Sequence, residues 1–248
     1  MTNWIKGNII KNHKWNNSLF SLIINASIEP FIPGQFAKLA LEINGQRIQR
    51  AYSYVNAPNE KKLEFYLIKV PYGKLSPHLA KLNTGDSVYI TKKSAGFFLL
   101  KMLPAANTLW MLSTGTAIGP FLSILQFGKD LSRFHKIILV HAVRYSKDLS
   151  YLSLIKKLEK KYKGKLKVQT IISRENITGA LRGRIPTLIE NGDLEKSVQA
   201  TLNPLNSHVM LCGNPNMVKD TQNLLKIQRG MKKNLRSQIG QITSEQYW

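Results

Sequence analysis

Short apolar runs, in which hydrophobic and polar positions alternate, fill the first hundred residues and are separated by turn-forming residues. Alternation of this kind is typical of strands with one buried face. Asn44-Gly45 is the strongest hairpin signal among the turns, because both residues tolerate positive φ. The pattern predicts a small antiparallel barrel. Its strands are expected at residues 5–10, 19–24, 37–42, 48–55, 63–70 and 87–91, and a short helix is expected from Ser76, with Ser76 as its cap and Pro77 at its first position.

Beyond about residue 100 the pattern changes to apolar strands that alternate with helical stretches, which indicates βαβ units and a parallel sheet. Strands are predicted at residues 108–113, 136–143, 165–173 and 208–212, and helices at residues 120–127, 149–162, 185–191 and 216–231. We therefore predict an antiparallel β-barrel domain over residues 1–101, followed by an α/β parallel-sheet nucleotide-binding domain over residues 102–248.

The 248 residues, 43% of them hydrophobic, suffice for two such cores. The amino terminus has no apolar signal segment, and no apolar run approaches the roughly 20 residues of a membrane span, so a cytoplasmic protein without a membrane anchor is expected. The single cysteine, Cys212, permits neither an intrachain disulfide nor a four-cysteine iron–sulfur cluster of this chain. The five histidines show no metal-ligand spacing, and no metal site is predicted.

The net charge of +22 suits a polyanionic partner, either a nucleic acid or an acidic protein. The lysines are spread over most of the chain, so the charge equally suits a bias in the base composition of the coding DNA.

The most informative polar cluster lies in the strand predicted at residues 48–55 and consists of Arg50, Ala51, Tyr52 and Ser53. Alternation places Arg50 and Tyr52 on one face of that strand and Ala51 and Ser53 on the other. A guanidinium binds phosphate, a tyrosine ring covers an aromatic face, and a serine hydroxyl hydrogen-bonds a ring nitrogen. The cluster suits a planar cofactor that carries phosphate, although a half-buried strand with a surface arginine has the same sequence.

Two further segments of the predicted barrel could contact such a cofactor. Tyr66 is an aromatic residue on the neighbouring strand, which either borders the cofactor or packs across the sheet. Lys74, Leu75 and Ser76 lead into the predicted helix, where free backbone amides and the helix dipole favour phosphate. An ordinary capped helix would have the same local sequence.

In the second half of the chain, a glycine-rich turn at residues 115–120 follows an apolar strand and opens a helix, the context of a dinucleotide-binding turn. Arg144, Arg174 and Arg184 lie at or near the carboxyl ends of later strands, where open α/β sheets bind ligands. Two charge-assisted hydrogen bonds of about 1.5–3 kcal/mol each would favour a 2′-phosphate, and hence NADP over NAD, by about two to four orders of magnitude. The alternative is three solvated arginines.

Residues 212–215 form another strand end ahead of a helix, where Gly213 would let a ligand approach the backbone. Asn216 and Asp220 could reach the adenosine end of that ligand. Cys212 either lies near the ligand or acts as a small buried hydrophobe, and nothing in the sequence indicates a nucleophile.

Taken in order, six motifs resemble ferredoxin (flavodoxin) NADP reductases of the bacterial type, and the resemblance runs from Trp4 to Trp248. The motifs are residues 33–36, 50–53, 73–76, 115–120 and 212–215 and the aromatic carboxyl terminus. The resemblance implies an FAD-binding barrel, an NADP-binding α/β domain, and an enzyme that transfers a hydride between NADPH and FAD and single electrons between FAD and flavodoxin or ferredoxin.

The resemblance also implies the roles of the site residues. Ser53, Cys212, Glu245 and Tyr247 would be catalytic, with Ser53 near flavin N5, Cys212 beside the nicotinamide and Glu245 ordering the site or relaying a proton. FAD would contact Arg50, Ala51, Tyr52, Ser53, Tyr66, Lys74, Leu75, Ser76, Thr116, Tyr247 and Trp248. NADP would contact Val143, Arg144, Ser173, Arg174, Arg184, Asn214, Pro215, Asn216 and Asp220.

The carboxyl-terminal tail, residues 245–248, ends in two adjacent aromatic rings, which indicates docking because chain ends are usually polar and frayed. In the plant-type reductases that the chain resembles, a glutamate, a spacer and a terminal tyrosine close over the flavin. Glu245 and Tyr247 match that pattern, but one further residue follows. The additional residue resembles the bacterial subclass, and this resemblance implies that the tail returns to the flavin, with Tyr247 near the isoalloxazine and Trp248 against the adenine of a bent FAD.

As partners, the resemblance implies acidic electron carriers, flavodoxin and/or ferredoxin, acting on a monomeric enzyme that binds neither nucleic acid nor membrane. A free-flavin or quinone reductase on the same framework would need similar cofactor residues but no carrier protein. A basic RNA-binding protein is the other alternative; its preparation would be colourless, and the aromatic residues here are not interleaved with basic ones as in RNP motifs.

Overall fold

The structure, a computed structural model, describes residues 3–235 and 237–247. Contacts between Cα atoms divide the chain into two units. The first unit contains the residues up to Leu99 together with Gly119–Phe127, and the second contains Leu100–Ile118 and the residues from Gly128 onward. The division thus assigns the helix after the glycine-rich turn to the first unit, whereas the sequence pattern had placed it in residues 102–248.

The first unit is built on an antiparallel six-stranded sheet with the order β4-β3-β6-β1-β2-β5. Its strands are β1 (Trp4–Lys14), β2 (Leu19–Asn25), β3 (Phe36–Ile43), β4 (Gln46–Ser53), β5 (Leu63–Ile68) and β6 (Ser87–Thr91). The edge strands β4 and β5 meet through a bridge between Tyr54 and Phe65, and the Val55 amide donates to the Glu64 carbonyl at 2.9 Å. The predicted antiparallel barrel is confirmed.

Alternation along these strands explains the core of the barrel. Leu22, Leu39, Phe65 and Ile90 are fully buried inside it, because every second side chain of a strand points to the same face. At the β3–β4 turn, Asn44 and Gly45 both adopt positive φ, 52° and 73°, as a two-residue hairpin loop of the predicted kind requires.

Two helices belong to this unit, α1 (Ser76–Leu79) and α2 (Gly119–Phe127). The prediction that Ser76 caps α1 was wrong, because Leu75 takes the cap position. The Ser76 hydroxyl instead accepts a hydrogen bond from the Val70 amide at 3.0 Å, so it closes the preceding turn.

The second unit is built on a six-stranded sheet, order β10-β9-β8-β7-β11-β12, in which every neighbouring pair is parallel. Its strands are β7 (Thr108–Thr114), β8 (Lys136–Val143), β9 (Leu166–Ile172), β10 (Leu181–Arg182), β11 (Ser207–Gly213) and β12 (Ile242–Gln246). Its helices are α3 (Leu152–Lys161), α4 (Ile185–Glu190), α5 (Asp193–Val198) and α6 (Pro215–Arg229). The near-continuous apolar runs of β7, β8 and β11 reflect burial on both faces of the sheet.

Three elements of this sheet unit, β10, α5 and β12, were not predicted. β10 has only two residues, and α5 lies in a polar segment directly after α4. The largest difference is β12, which makes Ile242–Gln246 a sixth parallel strand beside β11, where we had expected a docked tail. Its partner lies about 30 residues earlier, so no local turn signal marks the pairing.

Candidate functional site

Arg50 presents an unpaired cation on β4. Its side chain is exposed, and its Nη1 donates to the Gln49 carbonyl at 2.7 Å. No acidic side chain among the described residues pairs with it. By contrast, Arg47 on the same strand binds Glu42 at 3.1 Å and lies over the Tyr89 ring at 4.3 Å. Arg50 is therefore the arginine of this strand that remains available for a phosphate.

Tyr52 and Ser53 follow on opposite faces of β4, as alternation predicted. Tyr52 lies opposite Ala37 and Ser53 opposite Phe36. Tyr52 is half-buried, and burial raises its pKa to about 12 despite the opposing effect of Arg50. The phenol therefore stays neutral, which suits a ring that covers a planar cofactor. Ser53 is buried, and Ala51 is exposed opposite Lys38.

The closing edge of the barrel brings Tyr66 and Ser53 together. Tyr66 is buried on β5 and pairs with Ser21 on β2. The bridge between Tyr54 and Phe65, continued by one residue in the antiparallel register, places Ser53 opposite Tyr66. Sequence reasoning did not identify Trp15, whose ring meets the Tyr66 ring edge-on with centroids 6.4 Å apart.

The segment that contains Lys74, Leu75 and Ser76 is a compact turn. The Gly73 amide donates to the Val70 carbonyl at 3.0 Å, and a Cβ on Gly73 would lie only 3.0 Å from that same oxygen. Leu75 and Ser76 are buried, whereas Lys74 is exposed and can reach an anion. The tight turn holds the Lys74 backbone in place for such a contact.

The glycine-rich turn of the second unit runs as a 3-10 turn through Gly115–Ile118. Gly115 has a φ of 55°, and a Cβ built there would meet no atom within 4 Å, so space for a ligand adjoins the backbone. Thr116 is buried in this turn. His141 is fully buried nearby, and burial lowers its pKa to about 4, opposed by its contact with the Gly115 backbone.

The carboxyl ends of β7 and β11 are locked together beside this turn. The Asn214 amide donates to Thr114 Oγ1 at 2.9 Å, and a Cβ on Gly213 would lie 2.1 Å from the same hydroxyl. Gly213 also has a φ of 135°, a conformation that favours glycine. The glycine is therefore required for the close approach of the two strand ends.

Two of the three predicted arginines lie side by side at the sheet edge. The Arg174 amide donates to the Arg144 carbonyl at 3.0 Å, and the Ser173 amide donates to the Val143 carbonyl at 3.0 Å. Arg184 follows β10, whose Arg182 pairs with Ile172 at the end of β9. All three arginines are exposed, and none forms an ion pair with a described residue.

A tyrosine that the sequence analysis did not single out orients Arg174 of this pair. Arg174 Nη1 hydrogen-bonds the Tyr145 hydroxyl at 3.1 Å, and its guanidinium lies 5.7 Å from that ring. Val143, the last residue of β8, is buried directly before Arg144.

The start of α6 uses one of the predicted ligand residues as a cap. The Asn214 side-chain oxygen accepts from the Asn216 amide at 3.0 Å and the Met217 amide at 3.3 Å, and Pro215 lies in the first turn. Asn216 is exposed, and so is Asp220 one turn later. For a ligand, Asn214 therefore retains only its side-chain NH₂ group.

Cys212 lies beside two other candidate catalytic residues, Glu245 on β12 and Tyr247 directly after that strand. Cys212 pairs with Glu245 in the parallel register, and the Tyr247 amide donates to the Gly213 carbonyl at 2.9 Å. Burial and the Glu245 carboxylate raise the pKa of the Cys212 thiol well above its ordinary value, while a hydrogen bond with the Tyr247 side chain opposes them. The thiol is neutral and unsuited to nucleophilic attack. Trp248, predicted to stack on adenine, lies outside the described residues.

The part of the chain that the structure describes contains neither a candidate metal-binding cluster nor a helix that could span a membrane. No group of three or more His, Cys, Asp and Glu side chains there could hold a metal ion. None of the helices in residues 3–235 and 237–247 combines the length and apolar character needed to span a membrane.

Comparison with protein families assigns the two halves separately. Residues 10–97 match the oxidoreductase FAD-binding domain family, and residues 111–223 match the oxidoreductase NAD-binding domain family. The first range covers β4, the Lys74 turn and Tyr66, and the second covers the glycine-rich turn and the arginines. Both matches thus include most of the candidate residues described above, although Glu245 and Tyr247 lie beyond the second range.

Whole-length relatives carry a common name. The chain is 57% identical to the flavodoxin/ferredoxin–NADP reductase of Escherichia coli strain K12 and 52% identical to that of Buchnera aphidicola from Schizaphis graminum, over all of both chains in each case. It is 34% identical to the ferredoxin–NADP reductase of Pseudomonas aeruginosa, over 91% of this chain and 90% of the relative.

A solved structure agrees with these sequence relatives. The crystal structure of a ferredoxin NADP+ reductase from Neisseria gonorrhoeae with bound FAD and NADP matches the fold with a TM-score of 0.91 at 30% identity, covering 99% of each chain. The fold of both units is therefore that of a protein that binds these two cofactors.

Proposed function

Because the chain belongs to the flavodoxin/ferredoxin–NADP reductase family, we propose that residues 1–101 hold its FAD, that residues 102–248 hold its NADP, and that electrons pass between FAD and an acidic flavodoxin or ferredoxin. The chain is a flavoprotein oxidoreductase that uses FAD and NADP. What is proposed is the assignment of individual residues, the domain limits and the carrier.

The observation that carries the residue assignment is the geometry of β4 and its neighbour β5. Within four consecutive residues, β4 presents the unpaired guanidinium of Arg50, the neutral ring of Tyr52 and the buried hydroxyl of Ser53. Tyr66 lies opposite Ser53 in the continued register. These groups fit a phosphate, an aromatic face and a ring nitrogen, which FAD combines in one molecule.

When bound, FAD supplies the redox chemistry, because it takes up a hydride from NADPH and releases electrons singly. The protein binds FAD and NADPH and orients them relative to each other. Arg50 and the turn at Lys74, Leu75 and Ser76 hold the pyrophosphate, and Tyr52 and Tyr66 border the ring. Ser53 donates to N5, Ala51 adds backbone contact, and Thr116 adds a contact from the glycine-rich turn.

In this proposal Cys212 and Tyr247 border the nicotinamide with uncharged groups, and the Glu245 carboxylate lies on the strand behind them. The thiol is neutral, as its raised pKa requires, and the Tyr247 side chain is hydrogen-bonded to it. Glu245, on the paired position of β12, orders these two groups or exchanges a proton with solvent. Tyr247 and Trp248 complete the FAD contacts in this proposal.

The preference for NADP over NAD is supported by three exposed arginines near the carboxyl ends of sheet strands, Arg144, Arg174 and Arg184, which we call the arginine edge of the sheet. Arg144 and Arg174 are joined through their backbones, and Arg184 extends the positive edge past β10. Guanidinium groups bind a 2′-phosphate in bidentate geometry and gain much less from a 2′-hydroxyl. Val143, Ser173, Asn214, Pro215, Asn216 and Asp220 are the remaining proposed NADP contacts.

The net charge of +22 supports an acidic protein partner, because complementary charge accelerates association at low salt. The experiment is a comparison of flavodoxin, ferredoxin and soluble flavin as acceptors in NADPH-driven steady-state assays at two ionic strengths. We expect a carrier protein to be the best acceptor and its rate to fall as salt is added. Preference for soluble flavin, without salt dependence, would contradict the carrier assignment and indicate a flavin reductase.

A monomer in the cytoplasm, without bound nucleic acid, stays a prediction. The cytoplasmic location is supported by the single buried cysteine, which needs no oxidising compartment. Light scattering coupled to size exclusion measures the oligomeric state, and the ratio of absorbance at 260 and 280 nm, corrected for flavin, measures bound nucleic acid.

A further inference from the structure

Ser21 and Tyr66 lie on the outer face of the barrel, and yet both are buried. Leu22 and Phe65 are neighbours of Ser21 and Tyr66 along their strands and point into the core, so Ser21 and Tyr66 point outward. Ser21 is nevertheless only 1% exposed and Tyr66 only 4%. A structure on the outer face must therefore shield them.

Trp15, at the tip of the β1–β2 hairpin, is one such shield. Its indole Nε1 donates to Ser21 Oγ at 2.8 Å, and its ring meets the Tyr66 ring at 73° with centroids 6.4 Å apart. The His13 ring also meets the indole edge-on, at 90° with centroids 4.4 Å apart. The indole is thus held by one hydrogen bond and by two edge-on ring contacts.

The hairpin backbone fixes the position of this indole. The Trp15 amide donates to the Leu19 carbonyl at 2.9 Å, and Asn16 Oδ1 accepts from the amides of Ser18 and Leu19, each at 2.9 Å. A loop closed in this way by an asparagine side chain resists rearrangement. Trp15 therefore presents a rigid surface to Tyr66.

Tyr66 links this surface to the proposed flavin contacts. Ser53 lies opposite Tyr66 in the continued β4–β5 register, and Ser21 lies opposite Tyr66 on the other side, in the β2–β5 register. Ser53, Tyr66 and Ser21 thus form a row across three strands, and Trp15 packs against the end of that row.

We propose that Trp15 is a positioning residue for the flavin ring, which acts by holding the Tyr66 side chain in the rotamer that borders the cofactor. This inference rests on the proposed function, because it takes Tyr66 as a flavin contact. Trp15 does not itself touch the cofactor in this account. Its loss would remove one of the contacts that hold this rotamer of Tyr66, and FAD binding would then have to select the bordering rotamer from a wider set.

The test is a double-mutant cycle on FAD binding to the apoprotein, with Trp15→Leu, Tyr66→Leu and the double variant, read by flavin fluorescence and by the visible spectrum of the bound flavin. We expect Trp15→Leu to weaken FAD binding about threefold to tenfold, the range set by one edge-to-face ring pair. In the Tyr66→Leu background the same change should have no further effect, because Trp15 acts through Tyr66. Additive effects in the cycle would overturn the proposal.

Two matched variants keep the result interpretable. Trp4→Leu removes a tryptophan at the start of β1, the strand that leads to the Trp15 hairpin, where Trp4 packs near Arg47, and should leave the FAD affinity unchanged. Ser21→Ala removes the hydroxyl that accepts the hydrogen bond of Trp15 and should weaken FAD binding about twofold to fivefold, even if Trp15→Leu does not fold. An unchanged affinity of Ser21→Ala, together with additivity, would refute the role of Trp15.

Failure of this inference and failure of the proposed function give different results. If the parent protein binds FAD and reduces a carrier but the cycle is additive, only the role of Trp15 is wrong. If the parent apoprotein does not bind FAD at all, the residue assignment of the barrel fails, and the role of Trp15 fails with it.

Discussion

The two units of this chain hold their candidate ligand residues in different ways. In the barrel, Arg50, Tyr52 and Ser53 lie on one strand, and Tyr66 lies on the strand that closes against it. In the parallel sheet, the candidate residues come from strand ends far apart in sequence, as with the hydrogen bond between Thr114 and Asn214, 100 residues apart. The barrel site is thus encoded locally, and the sheet site depends on topology.

The units also differ in their buried titratable groups. The sheet unit contains His141, His208 and Cys212, all buried, whereas the barrel unit contains the tyrosines Tyr52 and Tyr54, whose pKa values burial raises to about 12. The tyrosines stay neutral over the physiological range, but a buried histidine must gain a proton in acid. Acid should therefore destabilise the chain through the sheet unit.

The largest expected effect concerns the arginine edge of the sheet. The double change Arg144→Ala and Arg174→Ala should reduce the preference for NADPH over NADH, measured as the ratio of kcat/KM values, by about two to four orders of magnitude, because two charge-assisted hydrogen bonds are lost. Arg182→Ala, an exposed arginine on β10, is the control and should leave the ratio nearly unchanged. An unaltered ratio in the double variant would place the 2′-phosphate elsewhere.

The second-largest expected effect concerns the binding of a cofactor phosphate by Arg50 of the barrel. Arg50→Ala should weaken the binding of FAD to the apoprotein about 10-fold to 150-fold, measured by fluorescence titration, because a single charge-assisted contact to phosphate is removed. Arg47→Ala is the matched control, since that arginine is already paired with Glu42. Equal losses in the two variants would mean that general positive charge, and not the position of Arg50, holds the cofactor.

The smallest effect tests the acid sensitivity of the sheet unit. Burial lowers the pKa of His141 to about 4, below the value of about 6.5 in an unfolded chain. As the pH falls below about 6.5 the unfolded chain takes up the proton first, so the free energy of unfolding should fall by about 1.4 kcal/mol per pH unit until about pH 4. Above pH 6.5 this group has no effect on the pH dependence.

Between pH 6.5 and pH 5, the free energy of unfolding of His141→Leu should therefore fall by about 2 kcal/mol less than that of the parent, as measured by urea denaturation. The comparison between pH values matters here, because the substitution also alters packing at every pH. The exposed His78 provides the control, and His78→Asn should follow the parent. Parallel pH profiles for His141→Leu and the parent would show that His141 is protonated equally in the folded and unfolded chains.

Much of the fold could be predicted from local patterns, and the exceptions have physical causes. The Asn44-Gly45 turn and most strands were correct to within a few residues, because alternation and turn chemistry are local properties. β12 was missed because its sequence, Ile-Thr-Ser-Glu-Gln, lacks the apolar run that marks β7, β8 and β11. Ser76 was assigned as a cap because serine suits that position, but its hydroxyl was already engaged by Val70.

The site could be predicted only as far as its residues belong to motifs. Arg50 and the arginines at strand ends were identified because their chemistry and position are visible in the sequence. Trp15 and Tyr145 were not, because each acts through a partner that the fold brings to it, Tyr66 and Arg174 respectively. Such supporting contacts depend on which strands pair and in what register, which no local pattern specifies.

The most direct test of the whole account is the visible spectrum of the FAD-loaded protein during anaerobic addition of NADPH and, separately, NADH. We expect oxidised-flavin bands that NADPH bleaches at least about 100-fold faster than NADH at equal concentration, since the arginine edge favours the phosphorylated cofactor. The absence of flavin bands after reconstitution with FAD, or equal rates with the two nucleotides, would contradict it.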